Sequence, residues 1–286
     1  MRLPFSPMNG GLKLTTTLAA VVFMNSMRRI LLAAIAGAAL AAAPALAADG
    51  TSTTGTTPTT TSPTTTTPAP APKPKAFFTK LSNRTTFTNW AYTNLPLKVK
   101  SQPGGKGRTV GKLHFNTEDG PPEIYLALRM WTDTKGNQWV QTQLPGRPNG
   151  RTGWVAREGL GEFHLIHTQL VVSRKTLRAT LYKSGKKIFS APVGVGKGST
   201  PTPGGSYWIR EKLKGIGTVY GPLAFGTAAY SNKLTDWPGG GVVGVHGTNE
   251  PNLIPGRPSH GCIRLKNKDI LHLNRLMKPG TPLLIK

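Results

Sequence analysis

The segment Ser259-His260-Gly261-Cys262-Ile263-Arg264-Leu265 holds the only cysteine of the chain. An internal disulfide is therefore excluded, and the thiol is hidden, paired with another molecule, or used. His260 stands two residues before it, and His246 lies upstream in the apolar run Val242-Val243-Gly244-Val245-His246-Gly247. A thiol is mostly protonated at neutral pH, whereas the thiolate is the reactive form. A neighbouring imidazole can take that proton and stabilise the anion. In extended backbone, residues two apart point to one side, so His260, Cys262 and Arg264 are expected to share a face. Gly261 has no side chain to obstruct a substrate carbonyl. The N–H groups of Gly261 and Cys262 could then receive an oxyanion, and Arg264 could grip a carboxylate through paired hydrogen bonds. Two other readings use the same residues. One is an inert core thiol beside a satisfied core histidine. The other is a zinc site of His246, His260 and Cys262, against which stands the lack of a fourth ligand or a cysteine pair.

The elements that must position these residues are mostly strands. In residues 168–286, strands are expected at 169–173, 176–182, 187–191, 207–210, 242–246 and 282–285, with Lys183-Ser184-Gly185-Lys186 as a hairpin turn. One helix follows the cysteine. Asn267 or Asp269 would cap it, Ile270, Leu271, Leu273 and Met277 give it helical periodicity, and Lys278-Pro279-Gly280 stops it. Residues 77–161 show short runs separated by Gly and Pro turns, at 95–100, 109–115, 123–128, 138–142 and 152–156, the pattern of a small all-β barrel. Gly153-Trp154-Val155 closes that set in a way that resembles bacterial SH3-like domains. Trp131, Trp139 and Trp154 are expected to be core or half-core residues, with a ligand groove as the alternative.

The rest of the chain says where such chemistry would happen. Met27-Arg28-Arg29, an apolar stretch from Ile30 to Ala43, and Ala45-Leu46-Ala47 have the three parts of a secretory signal, so residues 27–47 are read as a signal peptide. Residues 1–26 add nothing a signal needs and are read as a mis-called extension, with Met27 the initiator. The alternative for the apolar stretch is an uncleaved anchor, and only then would the chain touch a membrane. Residues 48–75 are almost entirely Thr, Pro, Ser, Ala and Gly, a disordered spacer in composition. The chain carries 36 Lys+Arg against 11 Asp+Glu, a net charge of +25. Losing residues 1–47 removes Arg2, Lys13, Arg28 and Arg29 and no acid, leaving +21. The basic residues are scattered and not interleaved with aromatics, which argues against nucleic acid and for anionic cell wall polymers.

Val243-Gly244-Val245-His246-Gly247-Thr248, followed by Ser259-His260-Gly261-Cys262-Ile263-Arg264 and then by Asn267 and Asp269, resembles the L,D-transpeptidase (YkuD-like) catalytic domain over roughly 168–286. Ser199-Thr200-Pro201-Thr202-Pro203-Gly204-Gly205-Ser206-Tyr207 resembles an upstream segment of that family, and Gly221-Pro222-Leu223-Ala224-Phe225 its substrate-side loop. The resemblance implies a mainly β architecture: a small SH3-like β-barrel, then an L,D-transpeptidase-type β-sandwich with one helix after the catalytic cysteine. It implies Cys262 as nucleophile, His246 as general base, the Gly247 carbonyl as its orienter, and amides of His260, Gly261 and Cys262 as an oxyanion hole. Arg264, with Ser259, Gly247 and Thr248, would border the substrate, and Ser259 and Asn267 would hold the loop. Some members carry serine where this chain has Gly247. The implied reaction is exported, cofactor-free acyl transfer on peptidoglycan stem peptides, from a tetrapeptide donor to a diaminopimelate-type acceptor, giving 3→3 cross-links. Carbapenems are the implied inhibitors. An L,D-carboxypeptidase using water, transfer to a lipoprotein amine, and a non-catalytic wall-binding protein are the alternatives.

Overall fold

The computed structural model describes residues 74–235 and 238–286. The signal segment and all but the last two residues of the spacer lie outside that range. Among the described residues the chain is mainly β with one α-helix, and no helix is long and apolar enough to cross a membrane.

The first sheet is built from β1 (Phe77–Lys80), β2 (Thr88–Tyr92), β3 (Lys98–Lys100), β4 (Thr109–Lys112), β5 (Ile124–Thr132), β6 (Gln138–Gln143), β7 (Thr152–Ala156) and β8 (His164–Ile166). Its order is β4-β3-β7-β6-β5-β2-β8, with β1 also paired to β5. The second sheet contains β9 (Thr168–Ser173), β10 (Arg178–Lys183), β11 (Lys186–Pro192), β12 (Gly194–Gly196), β13 (Gly205–Leu213), β14 (Ala224–Tyr230), β15 (Val242–His246), β16 (Gly256–Ser259), β17 (Ile263–Arg264) and β18 (Pro282–Ile285). Its order is β11-β10-β9-β18-β13-β14-β15-β17-β12-β16. The hairpin β10–β11 turns at Ser184 and Gly185, both with positive φ (49° and 80°), the geometry a two-residue hairpin loop favours. Helix α1 (Asn267–Leu276) buries Ile270 and Leu273.

The second sheet changes partners along β13. Residues Gly205 to Trp208 pair with β18 and Ile209 to Leu213 with β14, the register shifting between Ile209 and Glu211. One strand thus serves both halves of the sheet.

Strand β5 explains how the two sheets meet. Ile124, Tyr125, Leu126 and Ala127 are all buried, so the run is continuously apolar, as expected of a strand covered on both faces. Tyr125 and Ala127 belong to the first core. Ile124 and Leu126 belong to the second, with Trp208, Phe225 and Ile263. Trp208 Nε1 also donates to the Ile124 carbonyl (2.8 Å). Beside this seam lies a buried ionic knot. Arg210, 1 % exposed, bonds Glu123 through Nε (2.8 Å) and, more closely, through Nη2, and it reaches Glu118 at 2.9 Å. Its Nη1 donates to Tyr230 Oη (3.1 Å), which in turn donates to Glu118.

Of the three tryptophans singled out in the sequence, Trp154 is buried at 4 % exposure. Trp131 and Trp139 face each other across β5 and β6 as a tilted, partly exposed pair, with ring centroids 5.6 Å apart.

Three local expectations need correction. Ala224 and Phe225 are not in a loop but open β14, whose seven residues are all buried. Asn267 does not cap α1. The cap position is Lys266, without a side-chain bond, and the Asn267 amide is turned toward Thr248. His260 and Cys262 are not on one extended face, because the chain bends at His260 and Gly261. Gly261 has a φ of +132°, where a side chain would be strained.

Candidate active site

Alternation in β15 buries Val243 and Val245 and brings the strand to its end at His246. Its neighbours fix what His246 meets. It pairs with Ala224 of β14 on one side and with Arg264 of β17 on the other. Cys262 immediately precedes β17, level with Gly244, whose N–H donates to Cys262 Sγ (3.4 Å). The point a Cβ would occupy on Gly244 lies 3.7 Å from His246 Cδ2 and 3.9 Å from Cys262 Sγ. Imidazole and thiol therefore border one small volume, and glycine at 244 leaves it open.

The His246 ring is held in place. It is 2 % exposed, Nδ1 lies 2.6 Å from the Gly247 carbonyl, and Tyr220 meets it edge-on at 5.0 Å. Burial, and secondarily the Arg264 charge, lower its pKa to about 4 against the pull of the Gly247 carbonyl. At neutral pH the ring is neutral. Because a carbonyl can only accept, Nδ1 carries the proton and Nε2 offers a lone pair. Burial raises the Cys262 pKa, with the Gly244 N–H and Arg264 opposing it. The resting pair is thus neutral thiol and neutral imidazole.

The segment around Cys262 is tied by its own side chains. Ser259 Oγ donates to the Cys262 carbonyl (2.6 Å) and accepts from the Gly261 N–H (3.1 Å). The Gly261 amide, expected to help receive an oxyanion, is therefore engaged by Ser259 Oγ. Thr202 Oγ1 donates to the Gly261 carbonyl (2.7 Å) and accepts from the Gly196 N–H (2.9 Å). His260 is exposed, with Nε2 3.2 Å from Lys197 Nζ. Arg264 is 13 % exposed and bonds Glu250 Oε2 at 2.7 Å.

Asn267 and Thr248 form the second support. Asn267 Oδ1 accepts from the Thr248 N–H (2.8 Å), and Thr248 Oγ1 accepts from the Glu250 N–H (3.0 Å). A Cβ on Gly247 would lie 2.5 Å from Asn267 Oδ1 and 2.9 Å from Pro222 Cδ. A serine has no room there. Gly247→Ala is expected to push Asn267 off Thr248 and displace the carbonyl that orients His246. A misplacement of this kind lowers rates by up to about 10²-fold, and an acylation rate equal to that of the unaltered chain would contradict the assignment.

Tyr220 is the site residue that sequence reasoning missed, directly before the Gly221-Pro222 segment. Gly244 and Thr202 lie within segments that the sequence singles out, but their contacts cannot be read from residue type.

Two clefts meet at the pair. One, of about 70 Å³, is lined by Tyr220, Ser231, Val243, His246, Cys262 and Arg264 among others. The second, of about 190 Å³, has Leu213, Ile216, Tyr220 and Phe225 on its walls and also reaches His246 and Cys262.

The family model of the YkuD L,D-transpeptidase catalytic domain matches residues 167–285. YkuD of Bacillus subtilis (strain 168), which bears an L,D-transpeptidase name, is 33 % identical over 143 residues, covering 48 % of this chain and 80 % of the relative. This chain belongs to the L,D-transpeptidase family. YkuD of Bacillus licheniformis, likewise named, is 35 % identical over 107 residues, covering 37 % of this chain and 57 % of that protein. The catalytic domain of the E. faecium L,D-transpeptidase, solved by NMR, aligns with 25 % identity over 43 % of this chain and 99 % of its own, at a TM-score of 0.32. The matched residues begin in the loop before β9 and contain every strand of the second sheet, so the L,D-transpeptidase domain and the Cys262 cleft coincide.

Proposed function

We propose that the chain is exported and forms 3→3 cross-links between peptidoglycan stems through a Cys262 thioester. The observation that carries this reading is the shared volume of Cys262 Sγ and a His246 ring whose Nδ1 is pinned to the Gly247 carbonyl. His246 Nε2 takes the thiol proton as sulfur attacks the carbonyl carbon of the donor's third residue. The Cys262 N–H steadies the developing oxyanion. His246 then gives its proton to the departing D-alanine amine, and the C–N bond breaks. In the second half-reaction an amine of another stem attacks the thioester, the C–S bond breaks, and His246 returns a proton to sulfur. The same proposal includes residues 27–47 as signal, residues 48–75 as spacer, and the first sheet as an SH3-like module. The strongly basic surface suits anionic wall polymers.

A carbapenem presents a strained carbonyl to the same thiol. Exposure to meropenem is expected to raise the intact mass of the purified chain by one drug molecule, located on Cys262 and absent in Cys262→Ala. An unchanged mass would contradict the thioester reading.

A further inference from the structure

The second cleft contains a side chain that the catalytic sheet does not supply. Asp119, from the first sheet's connection between β4 and β5, lines the same cavity as Cys262, His246, Tyr220 and Phe225. It is the one acidic residue among the described residues lining that cavity, whose other walls are apolar or neutral, His246 and Cys262 included.

Its position is built, not incidental. Asp119 stands in a tight turn in which the Thr117 N–H donates to the Pro121 carbonyl (2.8 Å) and the Gly120 N–H to the Thr117 carbonyl (3.2 Å). Asn116 Nδ2 donates to the Gly120 carbonyl (2.7 Å). The two residues before Asp119 are fastened to the catalytic sheet. Thr117 Oγ1 donates to Glu211 Oε2 (2.5 Å), and Glu118 is bound by Arg210 and Tyr230. Glu118 and Glu123 are thereby committed to Arg210, and Glu211 is buried against Thr117. Asp119 is exposed and makes no ion pair among the described residues. Its charge is felt nearby, because after burial and the Thr117 bond it is the next influence on Glu211.

The two clefts share the thiol but differ in their charged walls, and Arg264 is already paired with Glu250. Arg264 borders the first and Asp119 the second. With 36 basic against 11 acidic residues, the chain as a whole repels cations, so a carboxylate at this cleft needs a chemical reason. A donor stem ends in a carboxylate. An acceptor stem arrives with a side-chain amine that is an ammonium at neutral pH.

We propose that Asp119 positions the acceptor: its carboxylate receives the cationic amine of the incoming stem at the mouth of the second cleft. This rests on the transpeptidase reading above. The ammonium releases one proton to solvent. The free amine attacks the thioester carbonyl, the C–N bond forms and the C–S bond breaks. His246 takes the remaining surplus proton from nitrogen and hands it to the Cys262 sulfur, so the enzyme returns to its neutral pair. Water needs no such anchor and can reach the thioester without Asp119.

The test uses the full chain with a disaccharide-tetrapeptide donor and a disaccharide-tripeptide acceptor, the products being resolved by mass spectrometry. In Asp119→Asn the acceptor concentration giving half-maximal dimer formation is expected to rise roughly tenfold, the size of a lost hydrogen bond to a charged group. The ratio of dimer to hydrolysed tripeptide falls by the same factor. Asp119→Lys deepens the loss and Asp119→Glu restores most of it. A general structural effect would not shift this ratio. Asp119 lies outside both cores, so these variants are expected to fold. An Asp119→Asn ratio equal to that of the unaltered chain overturns the assignment while leaving the transpeptidase reading intact. An unaltered chain that gives tripeptide but never dimer overturns both.

Discussion

His246→Ala is expected to slow acylation by a tetrapeptide donor on the order of 10³–10⁴-fold, the upper range for loss of a positioned general base. The thiol that remains is half-buried, with a raised pKa, so little thiolate would form without the imidazole. In the unaltered chain, kcat/KM should hold down to an acidic limb near the lowered His246 pKa of about 4, and not fall at the ordinary histidine value. The same group bears on stability. Its folded pKa lies below the ordinary 6.5, so the unfolded chain binds more protons between those values. The stabilisation is therefore complete above pH 6.5 and is lost as pH falls through 4, amounting to about 3 kcal/mol. Urea titrations of His246→Gln should show a shallower loss than the unaltered chain across that window. Parallel curves would mean that His246 is not buried as a neutral base.

Arg210→Ala is expected to destabilise the chain by about 3–5 kcal/mol, because it leaves Glu123 buried and without its cation. Glu123 is 1 % exposed, so water cannot compensate. The knot joins the first sheet to β13 and β14, and the loss should therefore appear as a lower denaturation midpoint for the whole described region. Arg210→Met combined with Glu123→Gln should recover part of it by removing both charges. A change below about 1 kcal/mol for Arg210→Ala would show that the knot is solvated in solution.

What could be read from the sequence followed the physics of periodicity. β7, β15 and β18 occupy the expected residues, since each is a short apolar run bounded by turn residues. β14 was not legible as a strand. Ala224-Phe225-Gly226-Thr227-Ala228-Ala229-Tyr230 is buried throughout and rich in Ala and Gly, so it has neither alternation nor β-branched character. The sequence of the first half of β5 predicts one short strand of a single barrel, whereas its alternate residues serve two cores. At the site, Cys262, His246 and Arg264 stood out by residue type. Their supports did not, because Thr202 reaches Gly261 and Asn267 reaches Thr248 across 59 and 19 residues. The turn at Gly261 also reversed a local inference, sending His260 to the exposed side and its neighbour's amide to Ser259. Asp119 carried no signal of its own, since its meaning comes only from the docking of one sheet on the other.

The measurement that bears most directly on the central claim is incubation of the purified chain, unaltered and as Cys262→Ala, with a disaccharide-tetrapeptide, followed by mass spectrometry of the products. The account predicts a dimer that has lost one D-alanine, formed by the unaltered chain and absent with Cys262→Ala. Tripeptide without dimer, or a dimer that persists in Cys262→Ala, would contradict it.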